Sequence, residues 1–491
     1  MERNESADLA RATVHGTLWT YLAYYGGKVM VLISTIILAR LLTKEDFGVA
    51  GYALTVIAFL DVLSDLGIGS ALIYHRADPR AADTAFWLGL GIGSALFGVT
   101  WFTAPLVGAF FNDARAVDVT RTLALTFPIA ALGNVHDMLL RKTLRFRRKL
   151  IPDWVQATSK GLVSILLALL GWGAWSLIWG QVAGQAIAVI AYWGAYDWRP
   201  TFQFGRSQAR ALLTYGLSIV SVNGLGMLTA NIDYLFVGRF LGAAALGVYS
   251  LAFRIPELLI LQFCNIVSRV IFPVFAKIRH DPNALRQGFI VSTRYIMLVT
   301  VPLGLGLALV AEPFILVVFG DKWVDAIPVM RAIAIYALLL SLTYNAGDVY
   351  KAQGRPLVLT YLSIVQGIIL IPALYWAATQ PGTIVAVGWT HAIIACITVT
   401  VELTVALRML NTPVSAILNA LRPAAIAGAM MTLAVWSTLV CVVAFPAWAQ
   451  LLIAVALGGG TYIGALWVLE RGLVLEASHT LRAALWRRSS S

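Results

Sequence analysis

Long runs almost free of charge constrain this chain more than any other feature. Crossing the apolar core of a bilayer takes about 20 mostly apolar residues in a helix, because no water is present there to satisfy an open backbone. Fourteen such runs can be read, at 17–40, 47–74, 84–110, 119–140, 152–171, 174–196, 211–236, 246–275, 289–312, 328–350, 357–378, 384–407, 423–445 and 450–469. The stretches between them are short and leave no room for a soluble domain. Charged residues are 12% of the 491, where a soluble domain carries about 25%. The expected fold class is an all-α polytopic membrane protein with about 14 transmembrane helices.

On a soluble protein a net charge of +12 would point to nucleic acid. Here the basic residues lie mostly in the short loops, so they are topology signals and no nucleic-acid partner is expected. With the N-terminus inside, 24 Lys and Arg fall in the loops and tails of that side and six in the connections and helix ends of the other. Six more (Lys28, Lys160, Arg254, Arg269, Arg294 and Arg331) lie within the runs. This asymmetry predicts a multi-pass inner-membrane protein with both termini in the cytoplasm. Cys264, Cys396 and Cys441 are far apart and lack ligand spacing, so neither a disulfide nor a metal site is expected. The N-terminus mixes acids with bases and has no A-x-A site, unlike a signal peptide. No G-x-x-x-x-G-K-[ST] loop occurs, so the expected energy source is a gradient or a downstream sink, with no cofactor.

The chain also repeats itself. Arg40-Leu41-Leu42-Thr43 followed by Phe47-Gly48-Val49 recurs as Arg239-Phe240-Leu241-Gly242 followed by Leu246-Gly247-Val248. Asn134-x-x-Asp137 in the fourth run recurs as Asn345-x-x-Asp348 in the tenth. The offsets are 199 and 211, and the difference falls near Asp321–Asp325. A repeat of six helices predicts two lobes of the same orientation, 1–205 and 206–411, with two extra helices and a basic tail over 412–491. Parallel repeats are a transporter pattern. A chance match of short motifs is the other reading.

Ionisable residues inside a span cost several kcal/mol each unless they face a cavity or a partner. At helical spacing, Arg254, Glu257, Gln262, Asn265, Ser268 and Arg269 fall within about 140° of the eighth span, with Pro256 kinking it. Asp153, Gln156, Lys160 and Ser164 share a face of the fifth, Asp61, Ser64, Asp65 and His75 of the second, and Ser341, Tyr344, Asn345 and Asp348 of the tenth. In the first, Tyr21, Tyr24 and Tyr25 surround Lys28. Two readings stay open for each stripe: interhelical glue, such as Arg254 with Glu257 or Asp153 with Lys160 through a neighbour, or the lining of a hydrated cavity. The candidate cavity cations are Lys28, Lys160, Arg254, Arg269 and Arg294. The candidate polar or coupling residues are Asp61, Asp65, Asn134, Asp137, Asp153, Asp233, Glu257, Asn345 and Asp348. This mixture suits a polar substrate with a few negative charges, since Arg planes and Lys point charges both bind phosphate. Asp61 and Asp65, one turn apart, are a rival proton or Na⁺ site. His391 is expected to be a packed interior residue, and Gly180-x-x-x-Gly184 a helix-packing motif.

The runs Leu38-Ala39-Arg40-Leu41-Leu42-Thr43-Lys44-Glu45-Asp46-Phe47-Gly48 and Ser64-Asp65-Leu66-Gly67-Ile68-Gly69-Ser70-Ala71-Leu72-Ile73 resemble the opening of bacterial Wzx-type polysaccharide flippases, members of the multidrug/oligosaccharidyl-lipid/polysaccharide exporter superfamily. The stretch from Asn231-Ile232-Asp233 to Phe253-Arg254-Ile255-Pro256 resembles that family's seventh and eighth helices. The resemblance implies a flippase that moves an undecaprenyl-pyrophosphate-linked oligosaccharide to the periplasmic leaflet by alternating access of two six-helix lobes around a cationic cavity. It implies membrane lipids, a polysaccharide polymerase and a chain-length regulator as partners, and carries a role onto Arg254 and Asp233 alone. Moving about two negative charges outward is downhill by roughly 4–5 kcal/mol per 100 mV, which favours potential-assisted flipping. A multidrug antiporter would want an acidic cavity. A membrane polysaccharide polymerase would want a large external loop. The chain is therefore not expected to be an enzyme.

Overall fold

The computed structural model describes residues 26–65, 79–143 and 145–471. Tyr21, Tyr24, Tyr25 and His75 of the polar stripes lie outside the described residues, as do the N-terminal 25 residues and the basic tail beyond 471. Among the described residues every regular element is helical. A helix lies under each apolar run: α1 (26–41), α2 (Lys44–Asp65), α3 (Pro79–Phe111), α4 (Arg115–Ala124) continuing into α5 (Thr126–Lys142), α6 (Phe146–Leu169) and α7 (Ala174–Ala195). Then follow α8 (Arg206–Phe236), α9 (Gly242–Pro256), α10 (Gln262–Ile278), α11 (Pro282–Leu309), the short α12 (Ala311–Val318), α13 (Ala326–Ser341), α14 (Ala346–Ala352), α15 (Leu357–Thr379), α16 (Ile384–Met409), α17 (Val414–Cys441) and α18 (Ala447–Leu469).

Eleven helical stretches among the described residues are long and apolar enough to cross a membrane, which makes this a multi-pass membrane protein. That is fewer than the fourteen runs, for local reasons. α1 is described only from residue 26, and α6 carries Arg147, Arg148, Lys149, Asp153 and Lys160. One stretch, Gly226–Ile278, runs 53 residues, which at 1.5 Å per residue is about 80 Å and far more than one bilayer core. Gly242 breaks its path at φ +84°, a conformation that glycine adopts without steric cost. π-helical turns, Val237–Leu241 and Glu257–Leu261, interrupt the same stretch.

Local chemistry sets the helix starts. Thr43 Oγ1 accepts from Asp46 N at 3.2 Å while Asp46 Oδ2 accepts from Thr43 N at 2.9 Å, a reciprocal cap that opens α2. Asp281 accepts from Asn283 N and Ala284 N, with Pro282 following, and so opens α11. The repeated motif then acquires a physical meaning. A Cβ on Gly48 would collide with the carbonyl of Ala243, and one on Gly247 with the carbonyl of Lys44. The two copies thus let the starts of α2 and α9 cross backbone to backbone, each glycine admitting the other helix.

Packing divides the chain into a unit that ends at Val248 and a second that begins at Tyr249. The repeat places α8 in the lobe beginning at 206, yet it packs on α2 and α3 of the first unit. Within the first unit, α6 and α7 meet across Gly180 and Gly184, where a Cβ would clash with the Ser164 side chain and with Cβ of Lys160, as the motif predicts. Within the second, Leu298, Val301, Ala424, Ala427, Met431 and Tyr462 join α11, α17 and α18 in one core. The Tyr462 hydroxyl donates to Leu298 O at 2.8 Å. His391 is buried beside Tyr336 and Phe253, with ring centroids 5.0 and 6.3 Å away.

Candidate functional site

In the first unit the structure brings Asp137 and Asp153 together, through residues that the stripes do not contain. Arg141, one turn along α5, sits 2.7 Å from Asp137. Lys149 comes from the start of α6, 2.7 Å from Asp137 and 2.8 Å from Asp153. Tyr192 on α7, itself buried, donates to Asp153 Oδ1 at 2.6 Å. Two acids and two bases balance, so the cluster ties three helices together and adds little net charge of its own. Asp153 meets Lys149 here, where the sequence suggested Lys160 through a neighbour. The i,i+4 spacing of Lys149 and Asp153 was the available signal.

In the second unit the tenth span is broken at 342–345, between α13 and α14, and polar side chains on and beside the break bind separate helices. Ser341 Oγ donates to Thr300 Oγ1 at 2.8 Å. Thr343 Oγ1 donates to Glu402 Oε2 on α16 at 2.7 Å, and the Tyr344 hydroxyl to Asn265 Oδ1 on α10 at 2.6 Å. Asn345, fully buried, donates to Ser292 Oγ at 2.6 Å and Thr293 Oγ1 at 3.1 Å on α11. Asp348 accepts from Ser268 on α10 at 2.6 Å and lies 3.7 Å from the half-exposed Lys351. An irregular backbone in a span survives only where such groups surround it. Glu402 is a member that the sequence reading missed, although a lone acid in an apolar run is itself a flag.

The remaining candidates are not gathered into either cluster by these bonds. Lys28 and Lys160 are half-buried, Arg254 and Arg269 exposed. Arg294 is engaged within the second unit, 2.5 Å from Glu470. Glu257 is half-buried and opens a π-helical turn, a feature common at functional sites. Asp61 is exposed and accepts from Ser64 Oγ at 3.0 Å, and the side chain of Asp65 lies outside the described residues. Asp233 is buried on α8 and Asn134 half-buried on α5. At the α3–α4 loop, hydrogen bonds from Arg115 at 2.8–3.2 Å hold the Asp113 carboxyl below the usual carboxylate range. No group of three or more His, Cys, Asp or Glu able to hold a metal occurs among the described residues.

Residues 37–328 match the sequence profile of the family described as "Polysaccharide biosynthesis protein". The chain is 30% identical over 394 residues to the teichuronic acid biosynthesis protein TuaB of Bacillus subtilis, a match covering 79% of this chain and 81% of that one. It is 26% identical to the succinoglycan biosynthesis transport protein ExoT of Rhizobium meliloti, over 77% of each chain. Its fold is that of the lipid II flippase MurJ in an inward closed conformation, with a TM-score of 0.78, 14% identity, and coverage of 93% of this chain and all of that one.

Proposed function

This chain belongs to the polysaccharide biosynthesis protein family, and from that membership we propose that it is a flippase for a lipid-linked oligosaccharide. Its substrate is an undecaprenyl-pyrophosphate-linked repeat unit, moved from the cytoplasmic to the periplasmic leaflet of a bacterial inner membrane. The product is an exopolysaccharide, a capsule or an O-antigen. Both termini lie in the cytoplasm, a polymerase and a chain-length regulator act downstream, and the protein itself makes and breaks no covalent bond. The observation that carries the reading is the match, over 77% of each chain, to a succinoglycan biosynthesis transport protein. The many-span helical body supports it.

Alternating access supplies the movement. The diphosphate is attracted by cations placed within the spans. Arg141 and Lys149 are held by Asp137 and Asp153, and Arg294 by Glu470. Lys28, Lys160, Arg254 and Arg269, which fall within apolar runs, are the further candidates for attracting the substrate, each to be tested by single substitution, with Asp233 and Glu257 as polar candidates. Moving about two negative charges outward gains roughly 4–5 kcal/mol per 100 mV, so the membrane potential assists the step.

Cells lacking the protein test this directly. The expected result is loss of surface polysaccharide, with diphosphate-linked repeat units trapped on the cytoplasmic leaflet. Repeat units that reach the outer leaflet at the normal rate but stay unpolymerised would overturn the proposal in favour of a polymerase. In vesicles, collapsing the potential at constant pH gradient is expected to slow flux, and unchanged flux would sink the potential-assisted step in favour of ion antiport.

A further inference from the structure

At one end of the second unit, three helices stop together. α10 ends at Ile278, α14 at Ala352 and α16 at Met409, and a cavity of about 380 Å³ opens between their ends. Arg279, His280, Gln353, Gly354 and Arg355 contribute to its lining, and no carboxylate does. Arginines near helix C-termini ordinarily serve the exposed carbonyls. Here backbone N–H groups already occupy those carbonyls. Asp281 N donates to Ile278 O at 3.0 Å, Gly354 N to Lys351 O at 3.0 Å, Arg355 N to Tyr350 O at 2.9 Å and Thr412 N to Leu407 O at 2.8 Å. Gly354 makes the second and third of these possible by turning at φ +72°.

The guanidinium groups are therefore left with donors to spend. Arg279 places Nε on His280 Nε2 at 3.0 Å, which leaves its two terminal amino groups. Arg355 makes no side-chain hydrogen bond or ion pair among the described residues. Asp281, the acid next in sequence, spends Oδ1 on the α11 cap. Two guanidinium groups on one cavity repel each other unless an anion joins them, and planar forks of this kind match phosphate oxygens. The cavity is also at the lower end of the size range of ligand sites.

We propose that this cavity is a binding site for the phosphate group of a lipid, held between Arg279 and Arg355, with Gln353 able to donate a further hydrogen bond. The position at the ends of spanning helices puts it at headgroup depth. Two lipids carry that chemistry, an anionic phospholipid of the surrounding leaflet and a polyprenyl diphosphate. The site does not depend on the transport reading, because binding is measured without flux.

The test uses the full chain in nanodiscs of phosphatidylcholine, and counts bound lipid by native mass spectrometry after adding either phosphatidylglycerol or a short-chain polyprenyl diphosphate. Arg279→Gln with Arg355→Gln is expected to weaken binding of one or both probes by about tenfold or more. Gln353→Glu, which adds a repelling carboxylate with little change of shape, is expected to act in the same direction and serves if the double variant does not fold. Arg206→Gln, an exposed change in the first unit, is expected to bind as the unaltered protein does. Loss confined to phosphatidylglycerol assigns the site to the leaflet, and loss confined to the diphosphate assigns it to a substrate-like lipid. Wild-type binding of both probes in the double variant and in Gln353→Glu would overturn the proposal.

Discussion

Asp137 and Asp348 occupy the same place in the repeated Asn-x-x-Asp motif, yet their surroundings are opposite. Asp137 faces two cations at 2.7 Å, one from its own helix and one from the next. Asp348 is almost fully buried, receives one hydroxyl at 2.6 Å, and has its lysine 3.7 Å off and half-exposed. The asparagines differ too. Asn345 is fully buried and bonded to two residues of α11, whereas Asn134 is half-buried. The first unit uses the motif to seat a charge cluster that clamps three helices. The second uses it to close the polar environment of a broken span. The same Asn-x-x-Asp spacing stands in both units, and the neighbouring helices decide what it does.

The largest effect is expected at Lys149, which serves both acids of the first cluster and is 16% exposed. Removing one partner of a mostly buried ion pair leaves the rest uncompensated, at a cost of about 3 kcal/mol. Lys149→Met should therefore lower the thermal unfolding midpoint in detergent markedly. Combining it with Asp153→Asn should recover part of the loss, because the stranded charge is gone. A single variant as stable as the original protein would show that the cluster is solvated and does not clamp the helices.

A second comparison sets the two asparagines side by side. Asn345→Ala removes the acceptor of the buried Thr293 hydroxyl and leaves a void against α11, so about 2 kcal/mol of destabilisation is expected. Asn134→Ala, on a half-buried position, should stay within about 0.5 kcal/mol. Equal losses at the two sites would remove the asymmetry on which the comparison rests. The measurement is paired denaturation of the two variants under one detergent condition.

The sequence carried most of the architecture, because a bilayer allows few solutions to a long apolar run. Helices lie under all fourteen runs, and Gly180 and Gly184 pack as their spacing predicts. The lobes were less legible. Motif spacing does not decide which helices pack together, and α8 packs against α2 and α3. Charge positions were legible and charge pairing was not. Lys149 counts as a loop residue in one dimension and becomes the centre of a cluster in three. Arg294 counts as a cation inside a span, and its partner Glu470 lies 176 positions away along the chain. The break at 342–345 carries no proline or glycine, the usual punctuation. Its backbone is free to leave the helix because Thr343, Tyr344 and Asn345 find partners on three other helices.

The smallest effect is expected where charges pair outside the spans or at their margins, and there too the units differ. Asp113 in the first unit takes two parallel hydrogen bonds from the Arg115 guanidinium and one from its backbone N–H. Glu312 in the second meets Arg331 once, at 3.4 Å, with both side chains well exposed. Exposed pairs contribute from nothing to about 1 kcal/mol, so Asp113→Asn should cost up to about 1 kcal/mol at neutral pH and Glu312→Gln less than about 0.5. Because hydrogen bonds from Arg115 depress the folded carboxyl of Asp113, its contribution is fully present above the ordinary Asp value of about 3.9. It is lost as pH falls through the lower, folded value. The stability difference between Asp113→Asn and the unaltered protein should therefore close in acid. A difference that stays constant down that limb would place the contribution of Asp113 in the loop geometry rather than in its charge.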